Sequence, residues 1–376
     1  MFLFECVFNI LGDTIYPPSK GTATISELEK SYNNMKYNKT LGYVDFKPKY
    51  GVYGTWDDHD YGGNDRGYEI NQKDQRQKLF LDFLDTHKDS NIYKREGVYN
   101  SVIFGGDKKQ VKVIFLDTRY HRERHCIPSV AAISYIHPLG AIIACFTRWL
   151  YSGLDIIPSC KDRNMLGEEQ WLWLENELRS GTASIHVIIS SVQIFTANPF
   201  VESWAHYQFE KRRLLYTINN TKGVVFLSGD VHFAEMTSLK QDKIMEITSS
   251  GLSHSCATAF YGPLCPFIIN AFSSHRRKPL DYSLKRNFGS IKIDWDDQIF
   301  SVNVHDNIGN VDLSTGDIPI GKSLILEEGE IDDLLHDNAV NRRFVKPTTV
   351  FGLVTISFMF AYFTFKRKKI DLKKIN

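Results

Sequence analysis

Apolar runs that stop abruptly at polar clusters recur along much of the chain. "CVFNILGD" stops at Asp13, "GVYGTWDD" at Asp57 and Asp58, and "VKVIFLDTR" at Asp117 and Arg119. "SIHVIISSVQ" stops at Ser190, Ser191 and Gln193; "GVVFLSGDVH" stops at Asp230 and His232, with "KIMEITSSG" close behind. These short runs rich in β-branched and aromatic residues predict strands. Between them, "ISELEKSYNNM", "YEINQKDQRQKLFLDFLDTH", "EEQWLWLENELRS" and "SWAHYQFEKRRLLYTI" read as helices. Alternating strands and helices predict an α/β layered fold. The nearly unbroken apolar character of "VIFLD", "HVIIS" and "VVFLSGD" predicts strands buried on both faces. Polar residues gathered where such strands end predict a convergent rim, the geometry of a metal-dependent active site.

Two apolar segments break the alternation. Ile127 to Thr147 holds no Asp, Glu, Lys or Arg but includes Pro128 and Pro138, so it reads as an insertion and not as a helix. "CATAFYGPLCPFIINAF", from Cys256, is a shorter one. The insertions, about 126–160 and 256–273, are expected either to touch a membrane or to pack as buried loops. Near the C-terminus, residues 347–365 carry no charge and are followed at once by "KRKK". About twenty apolar residues span a bilayer as helix, and the basic flank marks the cytosolic side. This pattern predicts a C-terminal transmembrane helix, a cytosolic tail over 366–376 and a main domain that is lumenal or extracellular. Lys373 and Lys374 sit where a dilysine retrieval signal of the endoplasmic reticulum would be read. Two sequons, at Asn38 and Asn219, are compatible with a lumenal glycoprotein. The N-terminal "MFLFECVFNIL" lacks a basic n-region and reads as a single strand, not a signal peptide.

Bulk composition narrows the function. The 376 residues are 43% hydrophobic, enough for a substantial core, and the net charge of +1 argues against a nucleic-acid binder. The six cysteines include no CxxC pair, which disfavours a zinc knuckle or a thioredoxin-like motif.

The densest chemistry lies in "GTWDDHDYGGND", residues 54–65, which holds Asp57, Asp58, His59, Asp60, Asn64 and Asp65. A solvated turn has this composition. Its place after a strand favours a site, and hard oxygen donors with one imidazole suit divalent or trivalent cations. No GxSxG elbow is present to supply a serine nucleophile.

Taken in order, "GDTIY", "GTWDDHDYGGND", "KVIFLDTRYHR", "MLGEEQWLWLENEL", "SSVQIF", "FLSGDVHFAEM", "EITSSGLSHS" and "NFGSIKIDW" resemble the motifs of the alkaline phosphatase D (PhoD-like) metallophosphatases, from about Asn9 to Trp295. The resemblance implies a four-layer α/β/β/α metallophosphatase-like sandwich over 1–300, followed by a linker over 301–346 and the transmembrane helix. It also implies a two-metal centre, iron and calcium or another divalent pair, acting on a phosphate ester without a protein partner. By motif, Asp13 resembles the bridging carboxylate and Tyr16 the phenolate ligand of a ferric ion. Asp58 and His59 resemble the superfamily pair in which one residue binds metal and the histidine faces phosphate. Asp230 and His232 resemble the last metal-binding pair, and Asp57 and Asn64 are further ligand candidates. Arg119 is expected to pair with a phosphate oxygen, and His59 to act as general acid. The family opens with a strand carrying a first metal ligand upstream of "GDTIY", and no separate strand is expected here. Two alternatives follow: a membrane protein that keeps the fold but is catalytically impaired, and a phospholipase D-like phosphodiesterase.

Overall fold

The computed structural model describes residues 2–4, 7–19, 21–106, 109–125, 148, 163–239, 242–258, 262–271, 273 and 275–332. Two seven-stranded sheets form the body. The first runs in the order β13 (Val311–Ser314), β12 (Ile299–Asp306), β11 (Asn287–Asp294), β1 (Phe2–Phe4), β2 (Val7–Ile10), β3 (Gly51–Gly54), with β14 (Ile318–Pro319) also on β12. The second runs β10 (Tyr282–Ser283), β8 (Ala234–Leu239), β9 (Ile244–Ser249), β7 (Val224–Ser228), β6 (Ile185–Ser190), β5 (Val111–Phe115), β4 (Asn100–Phe104). Strands β5, β6, β7 and β9 pair in parallel, as do β2 and β3.

Side-chain alternation explains the layering. On β5, Val113 and Phe115 face the other sheet, where they meet Leu11, Ile291, Phe300 and Val302. Ile114 points the opposite way. There it joins Trp171 and Leu174 of helix α5 (Glu168–Arg179) and Leu214, Leu215 and Ile218 of helix α6 (Gln208–Ile218). The outer face of the first sheet, through Ile10, is covered by Leu28 and Tyr32 of α1 (Ile25–Tyr37) and by Phe80, Leu81 and Phe83 of α4 (Lys73–Phe83). Strands packed on both sides cannot alternate apolar with polar residues, so their runs are continuous. Of two short helices, α2 (Tyr43–Phe46) lies within the β2–β3 crossover and α3 (Asp58–Tyr61) follows β3.

Three observations differ from the sequence reading. The N-terminal apolar run is not one strand but a hairpin, pairing Phe2 with Asn9 and Phe4 with Val7. Strand β1 therefore precedes the Asp13 strand after all, and lies between β2 and β11, although Phe2, Leu3 and Phe4 bring no metal-ligand atom. The boundary expected at residue 300 falls inside β12, and Leu324, Leu326 and Ile331 beyond it fill the outer core. The segment 256–273 is half packed: Cys256, Cys265 and Ile269 bury against Phe233 while Phe267 remains exposed. Within it a disulfide joins Cys256 to Cys265 ahead of helix α7 (Cys265–Ala271). The expected transmembrane segment and basic tail lie outside the described residues, as does segment 126–160 apart from Arg148. Among the described residues no helix is long and apolar enough to cross a membrane.

Candidate metal centre

Both sheets deliver acids to one end. Asp13 follows β2, Asp57 and Asp58 follow β3, and Asp230 follows β7 of the other sheet. Each of these four offers a carboxylate oxygen within 4.8 Å of the others. Asp13, Asp58 and His59 form an overlapping group, and so do Asp58, Asp65 and Glu202.

Local backbone makes this convergence possible. Asp13, Asp230 and His232 all adopt left-handed conformations, with φ of 51°, 71° and 61°. Such strain in non-glycine residues persists only where the surroundings enforce it, and it clusters at functional sites. Gly12 lets the two acidic loops touch: a Cβ there would stand 2.4 Å from the Asp57 Cβ. Gly62 leaves room for the Arg76 guanidinium, which donates to the Tyr61 and Ala23 carbonyls at 3.0 and 2.8 Å and so ties α4 to the acidic loop. Asp60, one of the acids in the motif, is not a ligand but a clamp. Its Oδ1 accepts from the N–H groups of Thr14 and Ile15 at 2.9 and 3.1 Å, and its Oδ2 from Asp57 N–H at 3.1 Å.

Electrostatics make the cluster unstable without counter-charge. Burial raises Asp13 well above the usual carboxylate range, and Asp58 and Asp57 raise it further. Burial, with Asp57 and Glu202, does the same to Asp230. Burial pushes Asp57 up to about 7 against the pull of Arg119, and pushes Asp60 to about 7 against its backbone donors. Against the cost of burial, His59 and Arg119 hold Asp58 below its ordinary value. Burial and the neighbouring His254 and His59 lower His232 to about 4, leaving a neutral imidazole, the form that binds metals. Three buried carboxylate oxygens, Asp13 Oδ1, Asp57 Oδ2 and Asp58 Oδ1, have no hydrogen-bond partner. Buried acceptors of this kind are costly unless something else binds them. The donor set therefore fits hard cations.

The remaining sequence candidates fall into three places. Tyr16 reaches the cluster, its hydroxyl donating to Asp13 Oδ2 at 2.9 Å. His232 Nε2 lies 3.9 Å from Asp13 Oδ2, and His59 Nε2 lies 4.0 Å from Asp58 Oδ1 at the half-buried margin. Asn64 is half-buried, with a partnerless Nδ2. Arg119 is not where a phosphate contact would need it. It is wholly buried, its Nε donating to Asp57 at 2.6 Å and its Nη1 to Glu202 at 3.0 Å, so the guanidinium fork is already committed. The expected rim also resolves into two functions. Asp117 caps its own turn through the Arg119 and Tyr120 N–H groups, and Gln193 bonds Thr248, so these strand ends support the site without lining it.

Two residues were missed. Glu202 sits behind the cluster, where, against the cost of burial, Arg119, Arg122 and His125 hold it well below the usual range. It comes from an irregular segment with no periodic signal. The His254 ring lies tilted 4.5 Å from that of Tyr16 and edge-on 5.8 Å from that of His232; the "LSHS" around it was legible as a motif but not as a position.

Comparison with known proteins agrees with this picture. Alkaline phosphatase D of Bacillus subtilis (strain 168) is 37% identical over 101 residues, covering 24% of this chain and 17% of that protein's length. Among solved structures, one described as the structure of PhoD superposes with a TM-score of 0.53 at 16% identity, covering 90% of this chain and 72% of the other. Purple acid phosphatase PPD1 from yellow lupin seeds gives a TM-score of 0.42 at 11% identity, covering 82% of this chain and 52% of the other. The PhoD likeness, at that identity, is one of fold. The profile of the PhoD-like phosphatases matches residues 7–303, and the chain belongs to that family.

Proposed function

We propose that this chain hydrolyses phosphate esters at a metal centre held by Asp13, Asp57, Asp58 and Asp230, with Tyr16 and His232 at its edge. The observation that carries this reading is the set of four converging carboxylates, three of which keep a buried oxygen without a partner. Bound cations supply Lewis acidity at the phosphate and lower the pKa of water. Iron and calcium are our assignment, supported by a donor set of hard oxygens with one phenol and neutral imidazole. Asp13 reaches across both sides of the cluster and suits a bridging position. Arg119 and Glu202 fix the Asp57 carboxylate from behind. In the reaction a water oxygen bonds to phosphorus, the ester P–O bond breaks, and the alcohol leaves with a proton from His59 Nε2. The packing of helices outside two stacked sheets supports the four-layer α/β/β/α metallophosphatase sandwich.

Asp13→Asn is expected to lose bound metal and hydrolysis together, whereas His59→Ala keeps its metal and loses roughly 10²–10⁴ in kcat. Metal analysis beside p-nitrophenyl phosphate turnover checks both, and an Asp13→Asn protein with full metal and turnover would sink the reading. For the C-terminus we propose a membrane anchor over 347–365 with a retrieval signal at Lys373 and Lys374, supported by the uncharged run and its basic flank. Changing both lysines to serine should release a tagged, still membrane-bound protein from the endoplasmic reticulum; retention of the double variant there refutes the signal.

A further inference from the structure

The acidic cluster opens into a cavity whose other walls are largely apolar. Asp13, Tyr16 and Asp230 line one side of it, and the space amounts to about 480 Å³. Met35 of α1, Leu41, Tyr43 and Phe46 of the following turns, and Leu252 of the loop after β9 form the apolar wall, with Thr14, Ser249, Ser250 and Ser253 the uncharged polar groups beside it. Leu41 and Leu252 stand 49% and 52% exposed. A lone exposed leucine is ordinary on a protein surface. Apolar side chains from three separate segments around one opening are a patch, and such patches mark binding sites. A cavity of this size, largely apolar with a few convergent polar groups, is the usual form of a small-molecule site.

Resting on the hydrolase reading above, we propose that this cavity binds the leaving alcohol and selects esters whose alcohol is bulky and apolar. A phosphate ester bound at the metal centre that Asp13, Tyr16 and Asp230 would hold has its ester oxygen directed either to bulk solvent or along this wall. A small polar alcohol gains nothing from the apolar route. An apolar alcohol loses water-exposed surface against Met35, Leu41 and Leu252, and that gain is realised as tighter binding of the ester. Among the described residues no basic side chain lines the cavity, so these walls give a second phosphate or a polyanionic alcohol no cationic partner.

The test uses the full chain and the double variant Leu41→Ser with Leu252→Ser, two exposed positions whose change leaves the core intact. Because naphtholate is the better leaving group on any enzyme, the preference for 1-naphthyl over methyl phosphate, in kcat/KM, should be at least about tenfold larger in the wild type than in the double variant. The double variant should lose most of that ratio by a rise in KM for the naphthyl ester, while methyl phosphate turnover holds. Equal efficiency on both esters in the wild type, or an equal loss on both in the variant, overturns the proposal. Binding of 1-naphthol itself, followed by its fluorescence, needs no turnover. Wild-type binding weakened about tenfold in the double variant supports the subsite even if no ester is cleaved, a result that would refute the hydrolase reading alone. Naphthol affinity that the substitutions leave unchanged refutes the subsite alone.

Discussion

At the scale of single residues, the acids of the site divide by what else they touch. Asp13, Asp57 and Asp58 each keep a buried oxygen without a partner, whereas both oxygens of Asp60 are consumed by backbone N–H groups. Glu202 is the residue whose loss should cost most away from the cluster. Its carboxylate lies between the Arg119 and Arg122 guanidinium groups, all three wholly buried. Glu202→Gln leaves two buried cations sharing one neutral amide. Breaking a buried pair by removing one partner costs about 3–5 kcal/mol. Chemical denaturation should show a loss of that order in Glu202→Gln, and a loss below about 1 kcal/mol would mean that solvent reaches the two arginines.

At the scale of elements, the strands that were legible are those buried on both faces. β5, β6 and β7 appear as nearly continuous apolar runs because each is packed between a second sheet and a helix layer. β1 was read as one strand with β2 and its turn was missed, whereas β4, β8 and the C-terminal strands were not read as strands, since they are short, polar on one face or alternating. β12, with its alternating half-buried and buried positions, shows why: its polar face dilutes the apolar signal. The ligand candidates at Asp13, Asp58 and Asp230 were legible because each follows an apolar run that ends abruptly in acids. The committed guanidinium of Arg119 was not, because a sequence says what a strand end carries and not which way a long side chain turns. Gly12 tests how tightly the β2 and β3 ends are joined. Gly12→Ala places a methyl group against the Asp57 Cβ at a φ of 115°. The two loops must part, so the variant should bind metal at least about tenfold more weakly, as loss of supporting contacts at a metal site does, with its far-ultraviolet circular dichroism unchanged. Full metal affinity in Gly12→Ala would mean the loops meet only loosely.

At the scale of the whole molecule, buried titratable groups outside the site should shape acid stability. Burial, with the Lys211 charge beside it, lowers His275 from 6.5 to about 3. Between those values the unfolded chain binds a proton that the folded chain refuses. Stability is therefore full above pH 6.5 and falls as the pH drops towards 3, by up to about 4–5 kcal/mol from this residue. Urea midpoints between pH 4 and 7 should fall less steeply for His275→Gln than for the wild type; parallel slopes would show that His275 is already solvated in the folded state.

Strand β1 carries a consequence for how such a chain comes into being. Phe2 pairs with Gly289, and Leu3 with Ser290, so β1, although it forms a local hairpin with β2, gains its second neighbour only when β11, nearly 290 residues on, has been made. The strand that leads to Asp13 borders β1 directly. Contacts so remote in sequence close slowly. A nascent chain emerging from the ribosome can settle its β5–β9 sheet early, yet the acid-bearing half is completed only after residue 290 has been synthesised. Loading of the proposed metal centre would thus be a late event in the life of the polypeptide, and any cation captured beforehand would meet a half-built cage.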